Sequence, residues 1–328
     1  MEYRRLGKTE LKVSELCLGT MQFGWTADEK ASFAVLDAAF EAGVNFIDTA
    51  DIYSRWVPGN PGGVAETILG GWLAARPGRR AQIILATKVR GAMGEGPNDA
   101  GLSRVHILNS VEASLRRMGT EVIDLYQTHW PDDDTPIAET LEALDTLVQR
   151  GMVRYIGCSN YAAWKVVQAL WTSDRSALAR FDCVQPHYNL MHRSEYEREL
   201  EPVCDEYGLG VIPYSPLAGG FLTGKYAAAG SIPEGSRGAS SRRIPGYIQS
   251  ARGARVLETL TKMAGERAKT VSQVALGWLL TRPSVTSPII GPRSVEQLAD
   301  NLGALGLRLD ERERRALDDA SAWRSDGE

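Results

Sequence analysis

Residues 45–54 read Asn-Phe-Ile-Asp-Thr-Ala-Asp-Ile-Tyr-Ser, and the fold of this chain is predicted from this stretch outward. The apolar pair Phe46-Ile47 indicates a short buried strand, and a polar loop follows it. Asp48 lies where the strand ends, and Tyr53 lies five residues later. Such a pair is unusual for packing alone. It predicts a functional site if the chain supplies further polar groups beside it.

The same pattern, a short apolar run followed by a helical stretch, recurs along the chain. Eight such runs predict strands at residues 16–21, 45–50, 83–89, 123–129, 155–160, 183–189, 209–216 and 287–292. Eight β/α units predict an α/β fold, a (β/α)₈ TIM barrel in which the carboxyl ends of the strands form the active face. Residues 3–13 predict an N-terminal β-hairpin that turns at Gly7-Lys8.

Sequence signals for helix ends support this repeat. Residues 26–29 and 294–297 have the pattern of a capping box, with Thr26 and Ser294 as the expected N-caps. Extra helices are predicted at residues 251–269, 271–281 and 310–320. A doubly wound sheet is the main alternative, but it normally carries Gly-x-Gly-x-x-Gly after its first strand, and residues 19–24 do not have that spacing.

We predict one barrel domain over residues 1–328, with a long Gly-, Ser- and Arg-rich connection at residues 217–250. A connection of this length is typical of a functional lid or of a disordered segment. The 43% hydrophobic and 24% charged residues are ordinary for a soluble globular protein. The net charge of −4 argues against general nucleic-acid binding.

Several features predict a cytoplasmic protein without a membrane partner. No apolar run approaches the roughly 20 residues that cross a bilayer, and the amino terminus lacks the apolar core of a signal peptide. The four cysteines form no Cys-x-x-Cys pair and are expected to be buried and reduced. The sequence leaves the oligomeric state open.

Polar side chains follow three neighbouring predicted strands. Asp48 and Tyr53 follow the second, Lys88 ends the third and His129 ends the fourth. A tyrosine has an unperturbed pKa of about 10, and a lysine ammonium beside it lowers that pKa. A carboxylate would keep the lysine charged, and a histidine would orient a carbonyl oxygen. The four residues therefore predict a general acid that needs no metal.

Each of these residues also has a simpler interpretation. Asp48 alone would cap the following turn, and Tyr53 alone would be a residue of the barrel rim. Lys88 and His129 are harder to explain in this way, because a buried lysine needs a partner. A zinc site is the other chemical possibility, although one well-placed histidine and no clustered cysteines disfavour it.

In their contexts Phe-Ile-Asp-Thr-Ala, Ala-Thr-Lys and Gln-Thr-His, these residues resemble the catalytic tetrad of the aldo-keto reductases. Further family patterns lie at residues 101–104, 110–117, 157–160 and 214–225. The resemblance is strongest to bacterial reductases related to the voltage-gated potassium channel β subunits. It implies NADPH-dependent reduction of a small aldehyde or ketone, with Tyr53 as the proton donor and Lys88, Asp48 and His129 assisting it.

The resemblance also implies how NADP(H) would bind across the barrel mouth. The residues near the nicotinamide and its ribose would be Thr20, Met21, Asp48, Ser159, Asn160, Gln185 and Tyr214. The pyrophosphate would contact Ser215, Leu217, Gly219, Thr223 and Lys225. The adenosine phosphate would contact Gly291, Arg293, Gln297 and Asn301. Arg237 would close over the cofactor, so residues 217–250 would form a clamp; the alternative is a mobile linker.

Two interpretations remain open at the binding residues. Gln297 could serve only as the capping partner of Ser294. The stretch after Tyr53 is longer than is common in the family, and its Arg55 and Trp56 would either wall the substrate pocket or cover the barrel rim. The candidate substrate residues are Trp25, Trp56 and Trp130, since aromatic walls suit flat or apolar carbonyl compounds.

Two other functions use the same residues. The resemblance to channel β subunits allows an NADP-binding regulatory or interaction protein. A sugar or alcohol dehydrogenase that works in the oxidative direction would use the same four residues as a reductase.

Overall fold

The computed structural model describes residues 1–226 and 243–323 of the chain. It begins with a hairpin of two antiparallel strands, β1 (Tyr3–Arg5) and β2 (Lys12–Ser14). The turn needs glycine at Gly7, where φ is +55° and an added Cβ would lie 2.6 Å from the Gly210 nitrogen. Leu6, Leu11 and Val13 of the hairpin pack against apolar residues inside the barrel. The predicted N-terminal hairpin is confirmed, and it covers one end of the barrel.

Eight parallel strands follow in the order expected for a (β/α)₈ barrel. They are β3 (Cys17–Gly19), β4 (Phe46–Asp48), β5 (Ile84–Val89), β6 (Ile123–Thr128), β7 (Val153–Ser159), β8 (Phe181–Gln185), β9 (Gly210–Val211) and β10 (Ile289–Ile290). The order of the sheet is β10-β3-β4-β5-β6-β7-β8-β9. Its two edges are joined by backbone hydrogen bonds from Ile289 N to Pro213 O and from Thr286 N to Val211 O, both 2.8 Å. The predicted barrel is confirmed.

Eleven helices lie in the described part of the chain. They are α1 (Glu29–Glu41), α2 (Val64–Ala74), α3 (Arg104–Met118), α4 (Ile137–Gln149), α5 (Ala163–Ser176), α6 (Glu201–Tyr207), α7 (Ile244–Gln249), α8 (Ala251–Arg267), α9 (Val271–Leu280), α10 (Val295–Leu302) and α11 (Glu311–Ala320). Helices α8, α9 and α11 confirm the predicted extra helices. None of these helices is long and apolar enough to cross a membrane.

The two predicted capping boxes differ from the expectation. The N-cap of α1 is Asp28, whose carboxylate accepts from Ala31 N, while the Thr26 hydroxyl donates to the Gln22 side chain. The prediction of Thr26 as N-cap was therefore wrong, because Thr26 is bonded within the preceding turn to Gln22 and the helix begins two residues later, after Asp28. Ser294 does cap α10, but the Gln297 side chain accepts from Arg293 N.

The alternation of side chains along the strands positions the site. Leu85 and Val89 of β5 pack outward among the helices, whereas Ala86 packs inside the barrel. Lys88, two residues after Ala86, therefore points into the barrel at its carboxyl end. All four cysteines are free and buried, as predicted. Within residues 217–250, a 3₁₀ segment (Ala218–Thr223) and helix α7 occupy parts that the sequence suggested were irregular.

Candidate active site

The side chain of Lys88 is the centre of a buried polar cluster. Its ammonium donates to the Asp48 carboxylate at 2.5 Å, to the Thr49 carbonyl oxygen at 2.8 Å and to the Tyr53 hydroxyl at 2.9 Å. Lys88 is fully buried, Asp48 is 1% exposed and Tyr53 is 9% exposed. The structure thus brings three of the predicted catalytic residues into direct contact. An ammonium has three protons, and each has an acceptor here.

Lys88 stays positively charged although it is buried. Burial opposes an ammonium, but the neighbouring Asp48 carboxylate and Tyr53 raise the pKa of Lys88 above its ordinary value. The lysine is therefore a permanent cation at neutral pH. A fixed positive charge 2.9 Å from the Tyr53 oxygen favours any negative charge that develops on that oxygen.

The fourth predicted catalytic residue, His129, lies beside the tyrosine. The ring centroids of Tyr53 and His129 are 5.9 Å apart with the planes at 72°. Burial lowers the pKa of His129 well below its ordinary value, and the charges of Lys88 and Arg90 lower it further. The imidazole is therefore neutral at neutral pH, with one N–H to donate. Its Nδ1 atom is buried without a hydrogen-bond partner in the part of the chain that the structure describes.

Gln127 belongs to this cluster although it was not predicted. Its Nε2 atom donates to Asp48 Oδ2 at 3.1 Å, and its Oε1 atom accepts from Gln185 Nε2 at the same distance. Gln185 also donates to Asp48 Oδ2 at 2.9 Å. The two glutamines thus fix the carboxylate oxygen that Lys88 leaves free. A sequence signal existed, because Gln127 is two residues before His129 and so shares its face of the strand.

The predicted carboxamide-binding residues continue the same network. Tyr214 OH donates to Asn160 Oδ1 at 2.8 Å, and Asn160 Nδ2 donates to the His129 carbonyl oxygen at 2.9 Å. The Ser159 hydroxyl donates to the Gln185 carbonyl oxygen at 2.8 Å. The carboxyl ends of β7, β8 and β9 therefore bring together the amide and hydroxyl groups that a carboxamide would bind. Of the two residues after β3, Thr20 donates to the Asp48 carbonyl oxygen and Met21 is half-buried nearby.

His187, which was not predicted as a site residue, packs against the ring of Tyr214. The ring of His187 is stacked on Tyr214, with centroids 5.0 Å apart and planes at 10°, and on its other side lies His192 at 4.0 Å. Burial lowers the pKa of His187 to about 3, and the charges of His192 and Arg243 act in the same direction. The neutral ring fixes the orientation of Tyr214.

The predicted pyrophosphate segment forms a tight turn after β9. Ala218, Gly219 and Gly220 have positive φ angles in succession, 50°, 69° and 100°. Runs of left-handed backbone turn successive amides toward one side, which suits an anion. The Lys225 ammonium lies near this turn, since a Cβ built on Gly220 would be 3.0 Å from its Nζ atom. The other members, Ser215, Leu217 and Thr223, lie in the same turn. Arg237 lies outside the described residues.

Three of the predicted adenosine-phosphate residues, Gly291, Arg293 and Gln297, lie at or before the first turn of α10, and Asn301 lies in its last turn. Arg293 is exposed just before the N-cap Ser294, and Gly291 is exposed next to the end of β10. Asn301 is buried, with 6% of its surface exposed. Gln297 already accepts from Arg293 N at 3.0 Å. An exposed arginine at a helix amino terminus fits an adenosine phosphate, while Gln297 has a capping role of its own.

Three tryptophans enclose the exposed side of Tyr53 and His129. Trp130 is stacked on His129 with centroids 3.9 Å apart, and Trp56 packs edge-on against Tyr53 at 6.3 Å. Trp25 packs edge-on against Trp56 at 5.5 Å. Trp56 and Trp130 are 47% and 43% exposed, so aromatic surface remains available beside the tyrosine.

The long stretch after Tyr53 is held against the loop that follows β3. Ser54 Oγ donates to the Phe23 carbonyl oxygen at 2.6 Å, and Asn60 Nδ2 donates to the Gly24 carbonyl oxygen at 3.1 Å. These bonds place Trp56 over the site. Arg55 instead extends to the Gly94 carbonyl oxygen at 3.5 Å, so it covers the rim.

The fold and this arrangement define an oxidoreductase of the barrel type, and sequence comparison gives its family. The chain belongs to the aldo/keto reductase family, whose model matches residues 15–322. Members of this family generally use NAD(P)H and act on small carbonyl compounds.

Similar proteins include both named oxidoreductases and proteins named for ion channels. The chain is 42% identical to the uncharacterized oxidoreductase YrpG of Bacillus subtilis (strain 168), over 97% of this chain and 95% of that protein. It is 37% identical to a probable voltage-gated potassium channel subunit beta of Oryza sativa subsp. japonica, over 93% and 91%. It is 35% identical to the aldo-keto reductase AMT2 of Alternaria alternata, over 97% and 90%.

Proposed function

We propose that this protein is an NADPH-dependent reductase of aldehydes or ketones in which Tyr53 donates the proton. The observation that carries the proposal is the Lys88 ammonium, which binds Asp48 and Tyr53 at the same time. When bound, the nicotinamide supplies hydride to the carbonyl carbon. Tyr53 then gives its proton to the carbonyl oxygen, and Lys88 stabilises the phenolate that remains.

Each neighbouring group has a part in this proposal. The neutral His129 donates a hydrogen bond that orients the carbonyl oxygen. Asp48 keeps Lys88 charged and in position, and Gln127 and Gln185 hold Asp48. Ser159, Asn160 and Gln185 would bind the carboxamide, Tyr214 would lie against the nicotinamide, and Thr20 and Met21 would lie near the ribose. The turn after β9 would bind the pyrophosphate, and Arg293 with Asn301 would bind the 2′-phosphate, so NADPH is favoured over NADH.

Steady-state oxidation of NADPH with a panel of aldehydes and ketones tests the proposal. We expect turnover by the wild-type protein and a loss of about 10²- to 10⁴-fold in kcat for Tyr53→Phe, since the proton donor is removed. Binding of NADPH by fluorescence should be unchanged in this variant. Full activity of Tyr53→Phe on a good substrate would disprove the assigned role.

Similarity to a probable channel subunit beta favours one second candidate, an NADP-binding interaction protein. The same experiments separate the two. Tight binding of NADPH without turnover of any carbonyl compound, together with a stable protein partner, would favour the second candidate.

A further inference from the structure

Arg90 lies directly after strand β5 at the barrel mouth. In the parallel register Lys88 is level with Gln127 and Val89 with Thr128, so Arg90 is level with His129. Strand β5 ends at Val89, and the φ of Arg90 is +134°, so the alternation of strand side chains stops before Arg90. The backbone of Arg90 therefore lies beside that of His129 at the carboxyl end of the barrel. Neither the proposed proton transfer nor the proposed cofactor site uses it.

The guanidinium of Arg90 is half-buried and has no polar partner among the described residues. It makes no hydrogen bond or ion pair with any residue in 1–226 or 243–323, and its Nε atom is buried without a partner. Three arginines near buried or half-buried carboxylates are paired: Arg80 with Asp124, Arg117 with Glu66, and Arg193 with Glu197. Buried charges in proteins are normally paired.

Asp132 is an acidic group near Arg90: burial raises its pKa, but its hydrogen bonds and the charge of Arg90 bring that pKa below its ordinary value. Asp132 accepts from Leu102 N at 2.7 Å, from the Thr135 hydroxyl at 2.8 Å and from Asp134 N at 3.2 Å. These bonds hold the loop after β6, two of them at Oδ2 of Asp132 and one at Oδ1. The charge of Arg90 nevertheless reaches the active site, because it contributes to the lowered pKa of His129 after burial and Lys88.

The backbone holds Arg90 in a conformation that such a residue rarely adopts. Its φ is +134°, and its carbonyl oxygen accepts from Gly101 N at 3.0 Å. Side chains other than glycine are strained there, and strain of this kind concentrates at functional sites. The surrounding loop thus keeps a cation at a fixed place beside the candidate catalytic histidine.

We propose that Arg90 binds a carboxylate on the substrate, so that the preferred substrates are carbonyl compounds with a flat apolar part and a carboxylate group. This rests on the proposed carbonyl reduction. The tryptophans at the site, Trp25, Trp56 and Trp130, would contact the flat part, and the planar guanidinium suits the two oxygens of a carboxylate. The residues proposed for the cofactor phosphates follow β9 and β10, so the two anions would not compete.

A matched pair of aldehydes tests the inference. 3-Carboxybenzaldehyde and 3-carbamoylbenzaldehyde have nearly the same shape, but only the first is charged. We expect the ratio of their kcat/KM values to fall about 10- to 100-fold in Arg90→Gln relative to wild type, mainly through the KM of the carboxylate. Arg90→Lys should retain part of the preference. Arg55→Gln, which removes a nearby rim cation, should leave the ratio unchanged.

Two further measurements test the role of Arg90, and the second of them does not require turnover. Raising sodium chloride from 0.05 to 0.5 M should lower kcat/KM of the wild-type protein for the carboxylate but not for the amide. Benzoate should bind the wild-type protein, seen by tryptophan fluorescence, at least tenfold more tightly than it binds Arg90→Gln. Equal ratios in wild type and Arg90→Gln, or benzoate binding that is absent or independent of Arg90, would overturn the inference. Failure to reduce either aldehyde would instead contradict the proposed function, and benzoate binding would then decide the role of Arg90.

Discussion

The two halves of the barrel mouth are lined by different kinds of residue. The loops after β3 to β6 carry aromatic rings and one unpaired cation, represented by Trp56, Trp130 and Arg90. The loops after β7 to β10 carry amides, hydroxyls and left-handed backbone, represented by Asn160 and Gly219. The first half, called the aromatic half below, suits a small compound that is apolar in part. The second, called the polar half, suits a long polar molecule with phosphates. The Asp48 carboxylate joins the two halves, since it binds Lys88 of β5 on one side and Gln185 of β8 on the other.

The largest expected effect on stability and activity comes from the Asp48–Lys88 pair, where the two halves meet. Lys88→Met would leave the Asp48 carboxylate buried without its cation, so we expect a loss of about 3–5 kcal/mol in the free energy of unfolding and loss of activity. The double variant Asp48→Asn/Lys88→Met should regain most of the stability, measured by urea unfolding, without regaining activity. Equal stability of the single and double variants would mean that the charges are not coupled.

The second prediction tests the polar half alone. Arg293→Ala should weaken NADPH binding by about 1.5–3 kcal/mol and change NADH binding little, because only NADPH carries the 2′-phosphate. Fluorescence titration measures both dissociation constants. Arg308→Ala is the control, since that arginine is exposed and pairs with Glu2. Equal losses for the two cofactors would remove the phosphate assignment.

The third prediction tests the aromatic half alone. Trp56→Ala should raise the KM for aromatic aldehydes by an amount equal to about 0.5–1.5 kcal/mol, because the edge-on contacts with Tyr53 and Trp25 are lost. NADPH binding should stay constant. Trp171→Ala, at an exposed position on α5, should change neither quantity. A change in NADPH affinity for Trp56→Ala would show that the halves are not independent.

The smallest expected effect concerns the stability of the polar half in acid. The folded-state pKa of His187, about 3, lies below its unfolded value of about 6.5, so the unfolded chain binds more protons between these values. His187 therefore reduces stability as the pH falls below about 6.5. Relative to its value at pH 8, the stability of His187→Gln should exceed that of wild type by about 0.8 kcal/mol at pH 6. Urea unfolding at both pH values measures this, and parallel pH profiles would contradict it.

The fold and the centre of the site could be predicted because they depend on regular patterns. Strand periodicity places Asp48, Lys88 and His129 at the same end of consecutive barrel strands, and the family resemblance supplies their roles. The prediction of Thr26 as a helix cap failed because a contact with Gln22 competes with the helix. Both Thr26 and Asp28 are favoured N-cap residues, so the sequence pattern alone does not choose between them.

Other parts of the site depend on contacts between distant segments. The stacking of His187 on Tyr214 and the attachment of Ser54 to Phe23 join residues about 27 and 31 positions apart. The unpaired state of Arg90 depends on which carboxylates the fold brings near it. Residues 227–242, where Arg237 lies, remain a prediction from sequence.

The three hydrogen bonds of the Lys88 ammonium also determine its reactivity toward other molecules. An amine attacks an electrophile only when a nitrogen lone pair is free, and here that pair is held as an N–H bond with every proton donated to an oxygen. Its complete burial also keeps reagents from reaching it. In a folded sample treated with an acylating reagent, the lysine at the centre of the site should be the last one to be labelled.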